Sequence, residues 1–108
     1  MKPVHFLGDS LEALRRFSPR ARQRAGYQIE RVQRGMDPED WKPMSSIGSG
    51  VREIRVRDDA GTFRVLYVAA VRDVIYVLHC FQKKTAWTSR LDVELAVRRY
   101  KELMRTRR

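Results

Sequence analysis

The chain has 108 residues, enough for one small domain and too few for a second core. Its 23 lysines and arginines stand against 13 aspartates and glutamates, a formal charge of +10 that points to an anionic partner, nucleic acid before membrane. No run approaches the roughly 18 apolar residues of a spanning helix, no signal-peptide stretch opens the chain, and one cysteine with two separated histidines gives neither an internal disulfide nor zinc-ligand spacing. A cytoplasmic protein without metal, cofactor or membrane partner is therefore expected.

Residues 4–7 read as a short strand, ended by Gly8, Asp9 and Ser10, which favour turns and helix caps. Leu11, Leu14 and Phe17 then recur close to the helical period. Ser18 and Pro19 suit the cap and first position of a second helix from 19 to about 34, with Ala21, Ala25, Ile29 and Val32 as its apolar stripe and Gly35 at its end. Pro38, Pro43, Gly48 and Gly50 predict a long irregular loop over 36–50. Three strands are expected at 51–57, 62–71 and 74–81, joined by connections short enough for an antiparallel meander. Ser89 and Asp92 have capping-box spacing and open a last helix whose inner side should carry Leu95, Ala96, Tyr100 and Leu103. The order gives an α+β fold in a single domain over 1–108: short strand, two helices, three-stranded meander, C-terminal helix, with a mixed or antiparallel sheet.

Period-two alternation sets Val51, Glu53, Arg55 and Arg57 on one face of the first meander strand and Arg52, Ile54 and Val56 on the other. Arg64 interrupts an apolar strand, which is costly unless it is paired or lines a wet groove. Lys83 and Lys84 close the third strand at the sheet margin. Such a cluster suits a phosphodiester: fixed guanidinium and ammonium groups stabilise the charge that builds when a 2′-hydroxyl attacks phosphorus, with no metal needed. The same residues also suit other readings. Arg52, Arg55 and Arg57 beside Glu53, Asp58 and Asp59 fit cross-strand ion pairs, Arg64 a structural salt bridge, and Lys83 and Lys84 a solvated loop pair. His79, placed by alternation with Ile75 and Val77, reads as a core histidine before a catalytic acid, Cys80 as a buried small hydrophobe, and Trp41 and Trp87 as packing or base-stacking groups. Arg64 locked in a buried carboxylate pair, with Lys83 and Lys84 turned to opposite sides, would leave no place to hold a scissile phosphate and would overturn the nuclease reading.

Gly48-Ser49-Gly50-Val51-Arg52-Glu53-Ile54-Arg55, Gly61-Thr62-Phe63-Arg64-Val65-Leu66-Tyr67, Leu78-His79-Cys80-Phe81-Gln82-Lys83-Lys84-Thr85 and Asp92-Val93-Glu94-Leu95-Ala96, in that order, resemble the phage-derived, HigB-like branch of the RelE/ParE toxin superfamily. The resemblance implies a RelE-like fold and a type II toxin with a cognate helix-turn-helix antitoxin. It also implies ribosome-dependent, metal-independent cleavage of messenger RNA. Arg55, Arg64, Lys83 and Lys84 correspond to the family's functional basic residues and are the expected catalytic set, Arg64 as phosphate clamp and Lys83 or Lys84 as base or acid; Arg52, Arg57 and Trp87 are expected to bind the RNA. The tyrosine that RelE-like toxins carry after the basic segment is missing here, where Trp87, Thr88 and Ser89 stand. A ParE-like DNA gyrase inhibitor, or a noncatalytic nucleic-acid-binding protein of prophage origin, is the alternative.

Overall fold

A computed structural model describes residues 1–84 and 89–106 of the chain. In chain order the elements are β1 (Val4–Phe6), α1 (Ser10–Arg15), α2 (Pro19–Gln33), β2 (Trp41–Pro43), β3 (Val51–Asp58), β4 (Gly61–Val71), β5 (Val74–Lys83) and α3 (Arg90–Thr106). The strands form one five-stranded sheet in the order β1-β5-β4-β3-β2. β1 pairs in parallel with β5, and the other pairs are antiparallel, so the sheet is mixed. The expected meander is its centre.

Local sequence accounts for most element ends. Ser18 caps α2 by accepting the Ala21 amide at 3.3 Å, with Pro19 in the first turn, and Gly35 leaves the helix at φ +84°, a conformation glycine adopts without a Cβ clash. Ser89 caps α3 through its Oγ, which accepts the Leu91 amide at 3.2 Å. The β4–β5 turn holds Arg72 and Asp73 at φ 52° and 60°, the left-handed pair that a two-residue hairpin needs.

The two faces of the sheet are covered differently. On one, Leu14 and Phe17 from the α1 end and Ala21, Ala25, Ile29 and Val32 of α2 meet Ile54, Val56, Phe63, Val65, Tyr67, Ile75, Val77 and Cys80. On the other, α3 sets Val93, Ala96, Val97, Tyr100, Leu103 and Met104 against Ile47, Val51, Leu66, Val68, Tyr76 and Leu78. Burial of each such aliphatic side chain contributes roughly 1.5–3 kcal/mol. Cys80 is buried in the first layer and its thiol is pushed up to about 12 by that burial, so it packs as a hydrophobe.

Four expectations need correction. The segment 36–50 is not wholly irregular, because Trp41–Pro43 adds the edge strand β2 opposite Ile54, Glu53 and Arg52; proline is tolerated at such an edge. β5 continues two residues beyond 81, to Lys83. Leu95 is not in the inner cluster of α3, whose buried stripe runs through Val93, Ala96, Val97, Tyr100, Leu103 and Met104. His79 does not share a face with Ile75 and Val77. The β4–β5 register passes from Leu66↔His79 to Tyr67↔Val77, leaving Leu78 as an extra residue, and this bulge turns the rest of β5 over.

Candidate nucleic-acid interface

Cross-strand partners share a face, so the register sorts the charged side chains into rows on the α3 side of the sheet. One row runs Lys42, Glu53, Leu66, His79, the next Arg55, Arg64, Phe81, and the last Arg57, Thr62, Lys83. The helix covers the other end of this face, where Val51, Leu66, Val68 and Tyr76 lie. The bulge at Leu78 is what brings Lys83 here: unbroken alternation from Ile75 would put it on the opposite face. α3 grips that bulge twice. The Asp92 carboxylate accepts from His79 Nε2 at 2.7 Å, and Arg99 donates to the Leu78 carbonyl at 2.8 Å. The carboxylate of that bond can only accept, so His79 Nε2 carries the hydrogen.

Arg55 and Arg64 are directly opposite one another, a like-charge pairing that is destabilising on its own. Glu53 resolves it. Its Oε1 lies 3.2 Å from Arg64 Nε, 3.6 Å from Arg55 Nε and 3.9 Å from Lys42 Nζ. Glu53 is 1% exposed and Arg64 4%, so the pair is taken out of water, whereas Lys42 and Arg55 keep contact with solvent and Arg57 is exposed. The contact between Arg64 and Glu53 is an ion pair, not an aligned hydrogen bond: among the described residues Arg64 Nε and Glu53 Oε2 have no hydrogen-bond partner, and Arg64 Nη1 donates to the Phe63 carbonyl at 3.3 Å. Burial holds the Arg64 guanidinium below its ordinary value, with the Glu53 carboxylate opposing that shift and Arg55 and Arg57 adding to it. Asp40 stands 3.9 Å from Arg55 at the edge of the cluster. Three cations, Lys42, Arg55 and Arg64, thus meet a single buried carboxylate, and Arg57 and Lys83 add two more in the last row of the same face. The surplus positive charge is held by a rigid sheet, an arrangement that recruits an anion with several oxygens.

A family profile described as "Phage derived protein Gp49-like (DUF891)" matches residues 12–101, which include every residue of the cluster. The chain belongs to this Gp49-like family. The family is one of RelE-like proteins associated with the toxins of toxin–antitoxin systems. No curated protein matches the chain.

In this Gp49-like chain the expected site residues are only partly brought together. Arg55, Arg57, Arg64 and Lys83 share the face. Arg64 is not the solvent-open phosphate clamp expected of it, because it is buried against Glu53. The first half of the arrangement that would overturn a phosphate site is thus present, and Arg64 itself holds no scissile phosphate, while the second half is not met on Lys83, which stays on the charged face. Lys84 follows the end of β5 and is exposed, outside the rows. Arg52 points to the other face, where it lies over the Trp41 ring at 3.9 Å and donates to Asp37 at 2.9 Å, so it does not join the cluster. Trp87 lies outside the described residues, as do the other residues of 85–88. Sequence reasoning overlooked Lys42, hidden in a segment read as loop, and treated Glu53 as one acidic neighbour among several. The signal for Glu53 was its position two residues before Arg55, on the same strand face.

Proposed function

We propose that the protein is a HigB-like type II toxin that cuts messenger RNA on the ribosome. The observation that carries this reading is the gathering of Lys42, Arg55, Arg57 and Lys83 about the Glu53–Arg64 pair on one half of a sheet face. In the reaction the 2′-oxygen of one nucleotide attacks the adjacent phosphorus, the P–O5′ bond breaks, and the departing 5′-oxygen takes up a proton. Negative charge grows on the phosphoryl oxygens during that displacement, and the guanidinium groups of Arg55 and Arg57 stabilise it. Lys83, partly exposed in the same row as Arg57, supplies the proton to the 5′-oxygen, while the proton of the 2′-hydroxyl passes to solvent. Arg64 acts through others: with Glu53 it fixes where the neighbouring cations sit. A helix-turn-helix antitoxin would neutralise the toxin, and ribosome and messenger RNA in the cytoplasm would be its targets.

The test is incubation of the purified protein with ribosomes carrying a defined transcript. The reading expects cuts within the codon exposed on the ribosome, leaving a 2′,3′-cyclic phosphate and a 5′-hydroxyl. Intact transcripts together with inhibited gyrase supercoiling would overturn it in favour of a ParE-like poison, and intact transcripts with RNA binding alone would reduce it to a noncatalytic module.

A further inference from the structure

A cleft of about 520 Å³ runs between α2 and the β3 strand next to the basic face, in the size range of sites for small organic ligands. Its walls include Arg24, Tyr27, Arg55 and Arg57, with Glu39 and Asp40 at one side. The Tyr27 ring is 54% exposed, one of the few large apolar side chains the described surface leaves in water. It stands on α2 one turn from Arg24, whose guanidinium is tied to the Arg57 carbonyl across the cleft. The two carboxylates are engaged: Glu39 Oε1 accepts from Gln28 Nε2 at 2.7 Å, and Asp40 faces Arg55 at 3.9 Å. An exposed aromatic face beside arginines is an arrangement that binds single-stranded nucleic acid, with the base on the ring and the backbone on the cations.

We propose that this cleft is a nucleotide subsite in which one base of a single-stranded RNA stacks on Tyr27 while its phosphate meets Arg55 and Arg57 at the strand edge. The proposal rests on the reading of the basic sheet face as an RNA surface and extends it. Arg55 and Arg57 belong to both regions, so one strand crosses β3 from the face into the cleft. A nucleic acid fits better than an acidic peptide segment, because the arginines would satisfy either but the exposed ring has a use only for a planar partner.

Binding of a fluorescein-labelled eight-nucleotide RNA of mixed sequence to the purified full chain, followed by anisotropy without ribosomes, tests it apart from cleavage. Tyr27→Ala should weaken binding about tenfold, as loss of one stacked base does, and Tyr27→Phe should restore it to within about twofold of wild type. The salt slope of Tyr27→Ala should match wild type, whereas Arg57→Ala should lower it by about one. Wild-type affinity in Tyr27→Ala would overturn the subsite and leave the cleft to a protein segment. So would a Tyr27→Phe variant as weak as Tyr27→Ala. If the transcript stays intact on ribosomes but RNA affinity still follows Tyr27, the subsite stands and the interferase reading falls.

Discussion

Two halves of one sheet face, built from the same three strands, have opposite characters. Toward one end Val51, Leu66, Val68, Tyr76 and Leu78 pack under α3; toward the other the same strands carry Glu53, Arg55, Arg57, Arg64 and Lys83. The change occurs within a two-residue step on two of the strands: Val51 to Glu53 on β3, and Leu66 to Arg64 on β4. Packing needs alone would continue the apolar stripe, since a buried charge is costly even when paired and a well-packed hydrophobe often replaces such a pair without loss of stability. Stability alone therefore does not account for the charged half, and on the proposed reading it is the half that meets the RNA backbone.

The difference between the halves can be broken from either side. The largest effect should come from Glu53→Ala, which leaves Arg64 buried without a counter-charge and should cost about 3–5 kcal/mol of stability in urea unfolding. The double change Glu53→Leu with Arg64→Met should return most of that loss; a Glu53→Ala protein as stable as wild type would mean that the pair is not a coupled unit. Leu103→Ala on the apolar half should cost about 3 kcal/mol through the cavity it leaves under α3, with RNA affinity unchanged at temperatures where the variant is folded. Asp92→Asn weakens the grip on the bulge by turning a charged hydrogen bond into a neutral one and should cost on the order of 1 kcal/mol. It should also slow cleavage more than it lowers stability, because Lys83 depends on the bulge for its placement; equal losses would detach the bulge from the site.

The smallest effect concerns pH. Asp9 accepts from Arg99 at 2.7 Å, and that hydrogen bond holds its carboxyl below the usual aspartate range. Because the folded value is the lower one, its contribution is complete above the ordinary aspartate value and disappears as pH falls through the folded value. Asp9 is largely exposed, so solvent screens the pair. Asp9→Asn should flatten only the most acidic part of the stability profile, measured by urea unfolding between pH 6 and 2; a change near neutrality would contradict the assignment.

Much of this arrangement was legible in the strand periods. Alternation along β3 correctly grouped Glu53, Arg55 and Arg57, and the caps at Ser18 and Ser89 marked two helices. Alternation failed on β5 because a bulge is set by what the opposite layer needs, here Asp92 and Arg99 reaching His79 and the Leu78 carbonyl, and nothing in the run Val77 to Phe81 announces it. The burial of Arg64 was open for a related reason. An arginine in an apolar strand reads the same whether it lines a groove or meets a carboxylate, and only the β3–β4 register brings Glu53 beside it. Lys42 was lost because Pro38 precedes and Pro43 ends a strand too short to show a period.

The most direct measurement is the single-turnover rate of transcript cleavage on programmed ribosomes by wild type, Arg55→Ala and Lys83→Ala. Lys83 is partly exposed, so Lys83→Ala should unfold within about 0.5 kcal/mol of wild type, whereas Arg55→Ala gives up a contact with buried Glu53 and is compared at a temperature where it is folded. If the charged half of the sheet holds the scissile phosphate, each should cut about a hundredfold more slowly or worse. Wild-type rates in both would mean that the RNA is cut elsewhere on the molecule.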